Sequence, residues 1–342
     1  MALPFKLVYS DSYYLPIGAH VFPAQKYRLI HKRLLESGLA EPGDFVTPKP
    51  AHDEDILLVH TREYVHKLKT GTLSAQEELQ MEVPYSPELV KAFWLAAGGS
   101  ILAADMALRD GIACNIGGGF HHAMPDHGEG FCVIHDVAVA IKRMHQEGKL
   151  NRAMTVDCDV HDGNGTAMIF PPKEKIRPGD PLPSASASSR DIHPTREEHF
   201  EHNSSELDVF TISLHQAHNY PAVKPPSSID INLPDGTNDD EYLGWLDQSL
   251  SSAFRHFAPE LLCYIAGADP YKEDQLGGLS LTIEGLKKRD ELVMKVAKER
   301  KIPVMITYAG GYARHVEDTV TIHCNTIFAA KETFTGKSPA WS

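Results

Sequence analysis

The sequence predicts a single α/β domain: a three-layer α-β-α arrangement whose central sheet is mostly parallel. Two observations carry that expectation. From Gly111 onward, short apolar runs alternate with amphipathic helical patterns, the signature of a parallel sheet covered by helices on both faces. Clusters of Asp, His and Gly follow several of those runs, at the carboxyl ends of strands, where such sheets bind ligands. A chain of 342 residues could hold two domains. The pattern nevertheless continues across its one interruption, residues 171–207, so 1–342 is read as one domain with an insertion.

In chain order, residues 6–9 read as a short strand, and the spacing of Tyr27, Ile30, Leu34, Leu35 and Leu39 suits an amphipathic helix over 25–39. A short apolar run at 55–59 precedes a helix beginning near His60, with Tyr64, Val65 and Leu68 on one side. Ser86-Pro87-Glu88 is a helix start, with an N-cap serine, proline at the first helical position and an acid in the first turn. That helix should run to about Arg109, burying Leu89, Phe93, Ala96, Ile101, Ala104 and Leu108, and Gly98-Gly99 within it implies close packing against a neighbour. Strands follow at 111–116, 152–157, 209–214, 261–266 and 303–308, and helices at 136–146, 239–257 and 283–300. The insertion carries five prolines between Pro171 and Pro183, a Ser/Ala run at 184–189, and His193, His199 and His202. Those histidines lack regular ligand spacing and read as solvated.

Composition narrows the function. With 42% hydrophobic and 23% charged residues, the chain is ordinary for a soluble globular protein. No secretory signal opens it, and no apolar run approaches the roughly eighteen residues of a membrane span. A formal net charge of −13 argues against binding nucleic-acid phosphates and is compatible with a cationic substrate such as a lysine side chain or a polyamine. Five cysteines, none in a C-x-x-C, sit mostly in apolar runs and suit a reducing, cytoplasmic setting. Oligomerisation stays open.

The most informative stretch is Val156-Asp157-Cys158-Asp159-Val160-His161-Asp162-Gly163-Asn164-Gly165-Thr166. In an extended strand, Asp157, Asp159 and His161 would point to one side, and ionised carboxylates are costly to bury without a charge partner. A divalent cation would be that partner; a polar turn with one capping acid is the plainer alternative. Three further stretches end strands in the same way: Gly117-Gly118-Gly119-Phe120-His121-His122, Gly267-Ala268-Asp269-Pro270 and Gly310-Gly311-Tyr312. Asp159, His161 and Asp269 together offer two carboxylates and an imidazole, a three-ligand set that leaves a coordination position open for water or substrate. Such nitrogen–oxygen donors suit Zn2+, with Fe2+ or Co2+ as substitutes. His122 could take a proton from water there, Asp157 and Asn164 could accept hydrogen bonds from the two imidazoles, and Tyr312 could donate to an oxyanion. This set points to metal-assisted hydrolysis of an amide.

Together these four spaced motifs resemble the zinc-dependent histone deacetylase superfamily, over roughly Leu7 to Phe334 apart from the insertion. The runs Gly18-Ala19-His20-Val21-Phe22-Pro23 and Asp274-Gln275-Leu276-Gly277-Gly278-Leu279-Ser280 are most similar to the class IV branch and its bacterial relatives. The resemblance implies an arginase-like deacetylase fold, with zinc held by Asp159, His161 and Asp269. It pairs His121 with Asp157 and His122, the general base, with Asn164, and places Tyr312 against the acyl carbonyl. Gly130 and Phe131 would wall the acyl-lysine channel, with Leu276 near its floor or rim. Ser213 and Leu214, with Asp157, Asp159 and His161, match a structural potassium site. Some branches carry aspartate where Asn164 stands, which leaves the basicity of His122 in question. Asp162 is the most expendable acid of its run.

The implied activity is removal of acetyl or longer acyl groups from lysine side chains of a protein or peptide, with acetylpolyamine hydrolysis as the alternative. Binuclear manganese ureohydrolases share the implied fold but need an additional acid where Gly163 stands. A non-catalytic acyl-lysine binding protein would have no use for the acid, base and tyrosine set.

Overall fold

In the computed structural model, which describes residues 2–179 and 206–335, the alternating pattern becomes eight strands in one sheet. The strands are β1 (Lys6–Val8), β2 (Phe45–Val46), β3 (Ile112–Asn115), β4 (Arg152–Asp157), β5 (Asp208–Gln216), β6 (Ile229–Leu233), β7 (Leu261–Ile265) and β8 (Val304–Thr307). Their order is β2-β1-β3-β8-β7-β4-β5-β6, and every pairing is parallel. The central strands β3, β7 and β8 are buried throughout, as the near-continuous apolar character of Ile-Ala-Cys-Asn, Leu-Leu-Cys-Tyr-Ile and Val-Met-Ile-Thr requires of strands covered on both faces.

Ten α-helices are described: α1 (Lys26–Glu36), α2 (Asp53–Ile56), α3 (Arg62–Thr70), α4 (Ala75–Met81), α5 (Pro87–Asp110), α6 (Asp136–Gln146), α7 (Asn164–Ile169), α8 (Asp239–His256), α9 (Ile283–Glu299) and α10 (Val316–Phe334). They pack in two groups, one running α8–α9–α10–α1 and the other joining α2 and α3 to α5 and α6. The Ser86 hydroxyl caps α5 by accepting from Leu89 N, with Pro87 in its first turn, as the sequence predicts. Gly98 fits its role: a Cβ there would meet the Lys49 carbonyl oxygen at 1.9 Å, so only glycine lets the chain pass so close. Ile101 and Leu108, expected in the buried stripe, are half-exposed at the rim of the core.

Contrary to the expectation drawn from hydropathy, α5 is long and apolar enough to cross a membrane; 78% of that stretch is buried within the protein, which makes it a core helix. Six of these elements were not foreseen, among them α2, a single helical turn where only a short apolar run was expected. β2 is two residues long, and β6 (Ile-Asp-Ile-Asn-Leu) is a half-exposed edge strand. α4 and α7 are short, and α7 begins inside a Gly-Asn-Gly run that reads as a turn. α10 is buried around most of its circumference, so it lacks the single apolar stripe that betrays a surface helix. Of the insertion at 171–207, residues 180–205 lie outside the described residues, and with them His193, His199 and His202.

Candidate active site

Four loops converge beyond the carboxyl ends of β3, β4, β7 and β8, and each was marked in the sequence by its Asp, His, Tyr and Gly content. β4 ends at Asp157 and β7 at Ile265, so Asp159, His161 and Asp269 lie past the strands and not on them. Strand alternation therefore does not place them: Asp157 meets His121 Nδ1, 2.7 Å from its Oδ2, and accepts from Asp159 N through its Oδ1. The remaining three still converge. Ligand atoms of Asp159, His161 and Asp269, all buried, lie within 4.8 Å of one another. His161 Nδ1 is 3.0 Å from Asp159 Oδ1 and 3.4 Å from Asp269 Oδ2. Asp159 is oriented by Gly310 N, which donates to its Oδ2, and Asp269 by Val160 N, which donates to its Oδ1. A Cβ on Gly310 would meet Asp269 Oδ2 at 2.0 Å, so glycine is needed for the backbone to close on the carboxylates.

These residues fit a divalent cation. Asp269 Oδ2 is buried with no hydrogen-bond partner, an arrangement rarely left uncompensated. Burial and the neighbouring Asp159 outweigh the pull of His161 and push the Asp269 carboxyl up to about 7, the behaviour of two carboxylates crowded at one buried site. Burial works against a charged His161, but Asp159 and Asp269 outweigh it and raise the imidazole to about 10. A cation among the three would relieve all of these strains, and two oxygens with one nitrogen suit zinc or iron(II).

The two adjacent histidines are held by different partners. Burial disfavours a charged His121, yet Asp157 and Asp159 overcome it and raise the group to about 9. His122 Nδ1 lies 2.7 Å from Asn164 Oδ1, and burial, with His121 and His161 nearby, drives its pKa well below the ordinary value. His122 is thus neutral. The loop carrying both is pinned by Asp136 at the start of α6, whose carboxylate accepts from Gly119 N and Phe120 N and from the Ser100 hydroxyl.

Above the triad opens a cavity of about 190 Å³ lined by His122, His161, Gly130, Phe131, Leu276, Tyr312, Glu82, Asn219 and Tyr220. Every residue expected to wall a substrate channel is among them. Tyr312, His161 and Phe131 meet edge to face, with ring centroids 6.2 and 5.9 Å from Tyr312, and Tyr312 N donates to Asp274. Phe131 and Ala309 take left-handed backbone angles (φ 68° and 47°), strain that is typically stored at functional sites. The Ala309 carbonyl is held by the buried Lys26 ammonium at 2.6 Å. A second space of only about 20 Å³ lies behind, between Phe22, His122, Phe131 and Tyr312.

Ser213 on β5 is the register partner of Asp157, and Leu214 follows it. Asp162, read as the most expendable acid of its run, is fully buried, 3.4 Å from the Ser213 hydroxyl and 3.3 Å from His215 Nδ1, and its Oδ2 has no hydrogen-bond partner. Burial, then Asp230 and Asp157, push its carboxyl up to about 7. Asp162, His215 and Asp230 bring a second set of ligand atoms within 4.8 Å of one another. Sequence reasoning also missed Glu82, Glu129, Asp136, Asn219 and Tyr220. Glu129 directly precedes the Gly130-Phe131 pair, a signal that could have been used; Tyr220 and Asn219 carry none.

A family profile described as "Histone deacetylase domain" matches residues 20–327. An uncharacterized protein of Picosynechococcus sp. is 35% identical over 96% of this chain and 99% of its own length. Histone deacetylase 2 of Arabidopsis thaliana is 30% identical over 92% of this chain and 77% of its own. The crystal structure of an HDAC homolog from Aquifex aeolicus superposes with a TM-score of 0.71 at 22% identity, over 98% of this chain and 92% of that one, a likeness of fold.

Proposed function

The chain belongs to the histone deacetylase family, a family of hydrolases, and we propose that it removes short acyl groups, acetyl above all, from lysine-like primary amines with the help of one divalent cation. The observation that carries this reading is the convergence of Asp159, His161 and the unpartnered Asp269 Oδ2 at the floor of a cavity walled by His122 and Tyr312. Zinc is the cation the donor set suits best, with Fe2+ or Co2+ as substitutes. When bound, it would supply Lewis acidity that polarises the acyl carbonyl and acidifies water.

The protein's own groups do the rest. With its Nδ1 committed to Asn164, His122 keeps its Nε2 lone pair for a proton, which it takes from the attacking water as the C–O bond forms. Tyr312 donates its hydroxyl to the oxygen that gains charge. As the C–N bond breaks, His122 returns the proton to the departing amine, and a carboxylic acid and an amine leave. His121, kept charged by Asp157, adds positive potential beneath the reacting centre. Gly130, Phe131 and Leu276 sheath the alkyl chain.

The cavity favours a small acyl group. About 190 Å³ is below the roughly 300 Å³ of a drug-sized pocket, and the space behind takes little more than one water-sized group. A protein or peptide acetyl-lysine fits such a slot. Acetylpolyamine is a second reading, favoured by Glu82, an exposed carboxylate at the mouth that would meet a distal ammonium. The ureohydrolase alternative has no support in the donor set, since Gly163 stands where an additional acid would be needed. We also place a structural potassium ion beside Ser213 and Leu214, with the backbone of Asp157, Asp159 and His161; the unpartnered Asp162 oxygen nearby supports a cation there. Five buried free thiols suit a cytoplasmic protein, and 1–342 reads as one catalytic domain.

A panel of acetyl-, butyryl- and myristoyl-lysine peptides and acetylpolyamines, compared by kcat/KM, tests the reading. Acetyl substrates should lead, and Tyr312→Phe should lower kcat by about 10²–10³-fold. Cleavage of no amide in the panel would reject deacylation, and a preference for myristoyl would reject the short-acyl assignment.

A further inference from the structure

The hydrogen bonds around His122 continue past Asn164 to a carboxylate that the mechanism above does not use. Asn164 Nδ2 donates to Glu129 Oε1 at 2.9 Å, and the Tyr220 hydroxyl donates to the same oxygen at 2.8 Å. The other carboxylate oxygen lies 3.2 Å from His127 Nε2. Burial pushes the Glu129 carboxyl up, but the hydrogen bonds from His127, Tyr220 and Asn164 outweigh it and hold the group below its ordinary range. Ionised, it can only accept.

That constraint reaches His122. A carboxamide has one accepting end and one donating end. Rotated by half a turn, Asn164 would press its oxygen against the Glu129 carboxylate and its NH2 against His122 Nδ1. Two acceptors would then face each other in a half-buried site, an arrangement that costs the hydrogen bond and adds repulsion. Glu129 therefore selects the orientation in which Asn164 Oδ1 faces His122. An acceptor 2.7 Å from Nδ1 in turn requires hydrogen on Nδ1, which leaves the lone pair on Nε2. Aspartate at position 164 would accept through either oxygen and need no such selection. Asparagine does need it.

We propose that Glu129 is a positioning residue for the reaction: by fixing the orientation of the Asn164 amide, it sets the tautomer of His122 that can accept a proton. The kinetic consequence rests on the amide-hydrolysis reading, and the structural consequence does not. The first measurement therefore needs no turnover. In the full chain carrying 15N-histidine, the Nδ1–H proton of His122 is identified by its loss in His122→Gln. It should exchange with solvent faster in Glu129→Ala, keep its wild-type protection in Glu129→Gln, where the side-chain oxygen still accepts, and leave the His121 signal unmoved. Unchanged exchange in Glu129→Ala would overturn the proposal. In turnover, Glu129→Ala should lower kcat about 10–100-fold at unchanged KM, the usual cost of losing an outer partner, and Glu129→Gln should recover most of it. Equal loss in both variants would overturn the acceptor role.

A swap closes the test and survives a poorly folding alanine variant. Asn164→Asp alone sets two carboxylates against each other and should lower kcat. Combined with Glu129→Gln, which returns a donor to the pair, it should recover; simple additivity of the two substitutions would overturn the coupling. If the wild-type protein cleaves no amide, the hydrolase reading fails and the exchange measurement alone decides the role of Glu129.

Discussion

His121 and His122 are neighbours in sequence, sit on one loop after β3, and are equally buried, yet they end in opposite states. His121 points its Nδ1 at Asp157, a carboxylate from the end of β4, and is held charged. His122 points its Nδ1 at Asn164, an amide at the start of α7, and is held neutral. At such burial the surrounding charge decides the difference: His121 faces the Asp157 and Asp159 carboxylates, whereas His122 meets a neutral amide and has His121 and His161 beside it. The pair thus divides its work: one imidazole supplies standing positive charge, the other a lone pair. Adjacent identical residues can carry different chemistry when strands and helices deliver different partners to them.

The sharpest way to break the comparison is to remove each histidine in turn. His122→Gln should lower kcat by about 10²–10⁴-fold with little change in KM, the cost of losing a general base. His121→Gln should cost less, about 10–100-fold, because it touches the reaction through charge and positioning. Steady-state kinetics on an acetyl-lysine substrate checks both, and a larger loss in the His121 variant would reverse the assignment.

How much of this was legible in the sequence depends on what each residue's partner was. The candidate-site carboxylates and histidines follow apolar runs in short motifs, so the convergence at one rim of a parallel sheet could be expected from strand ends alone. The residues alone offered Asp157 and Asn164 as acceptors for the two imidazoles; which of them meets which histidine came from the family resemblance, because a seven-residue spacing does not assign the partners. The direction of Asp157 could not be derived from strand alternation, because β4 stops at Asp157 and the chain beyond it turns. Glu129, Tyr220 and Asp136 were not seen for a different reason: each acts through a hydrogen bond whose other end is distant in sequence, such as the 91 residues between Tyr220 and Glu129. The burial of Asp162 could not be read either, because residue type alone does not say which acid of the run the fold encloses. Among helices, the long α5 was legible from its cap and stripe, whereas α10, buried nearly all round, offers no such periodicity.

A smaller effect extends the comparison to the histidines packed behind the loop. His60 bonds the Met124 carbonyl through Nδ1 and accepts from His135 N through Nε2, and His135 in turn meets the Thr166 hydroxyl. Burial lowers His60 to about 4 and takes His135 well below its ordinary value, so both share the neutral state of His122. For a histidine whose folded pKa lies below its unfolded value near 6.5, the unfolded chain binds the extra proton. The stability it contributes is complete above that value and is lost as the pH falls from about 6.5 towards 4. His60 alone should account for about 3 kcal/mol across that window. Denaturant unfolding at pH 7 and pH 4.5 checks it, with His60→Gln expected to flatten the acid side; a variant as acid-sensitive as the wild type would assign the loss to other groups.

The central claim is that Asp159, His161 and Asp269 hold one divalent cation on which amide hydrolysis depends. Titrating chelated protein with zinc while following both bound metal and acetyl-lysine hydrolysis tests it most directly. One ion per chain should bind and restore turnover in step, and Asp269→Ala should do neither. Full hydrolysis by the chelated protein, or a second tightly bound ion required for activity, would contradict the account.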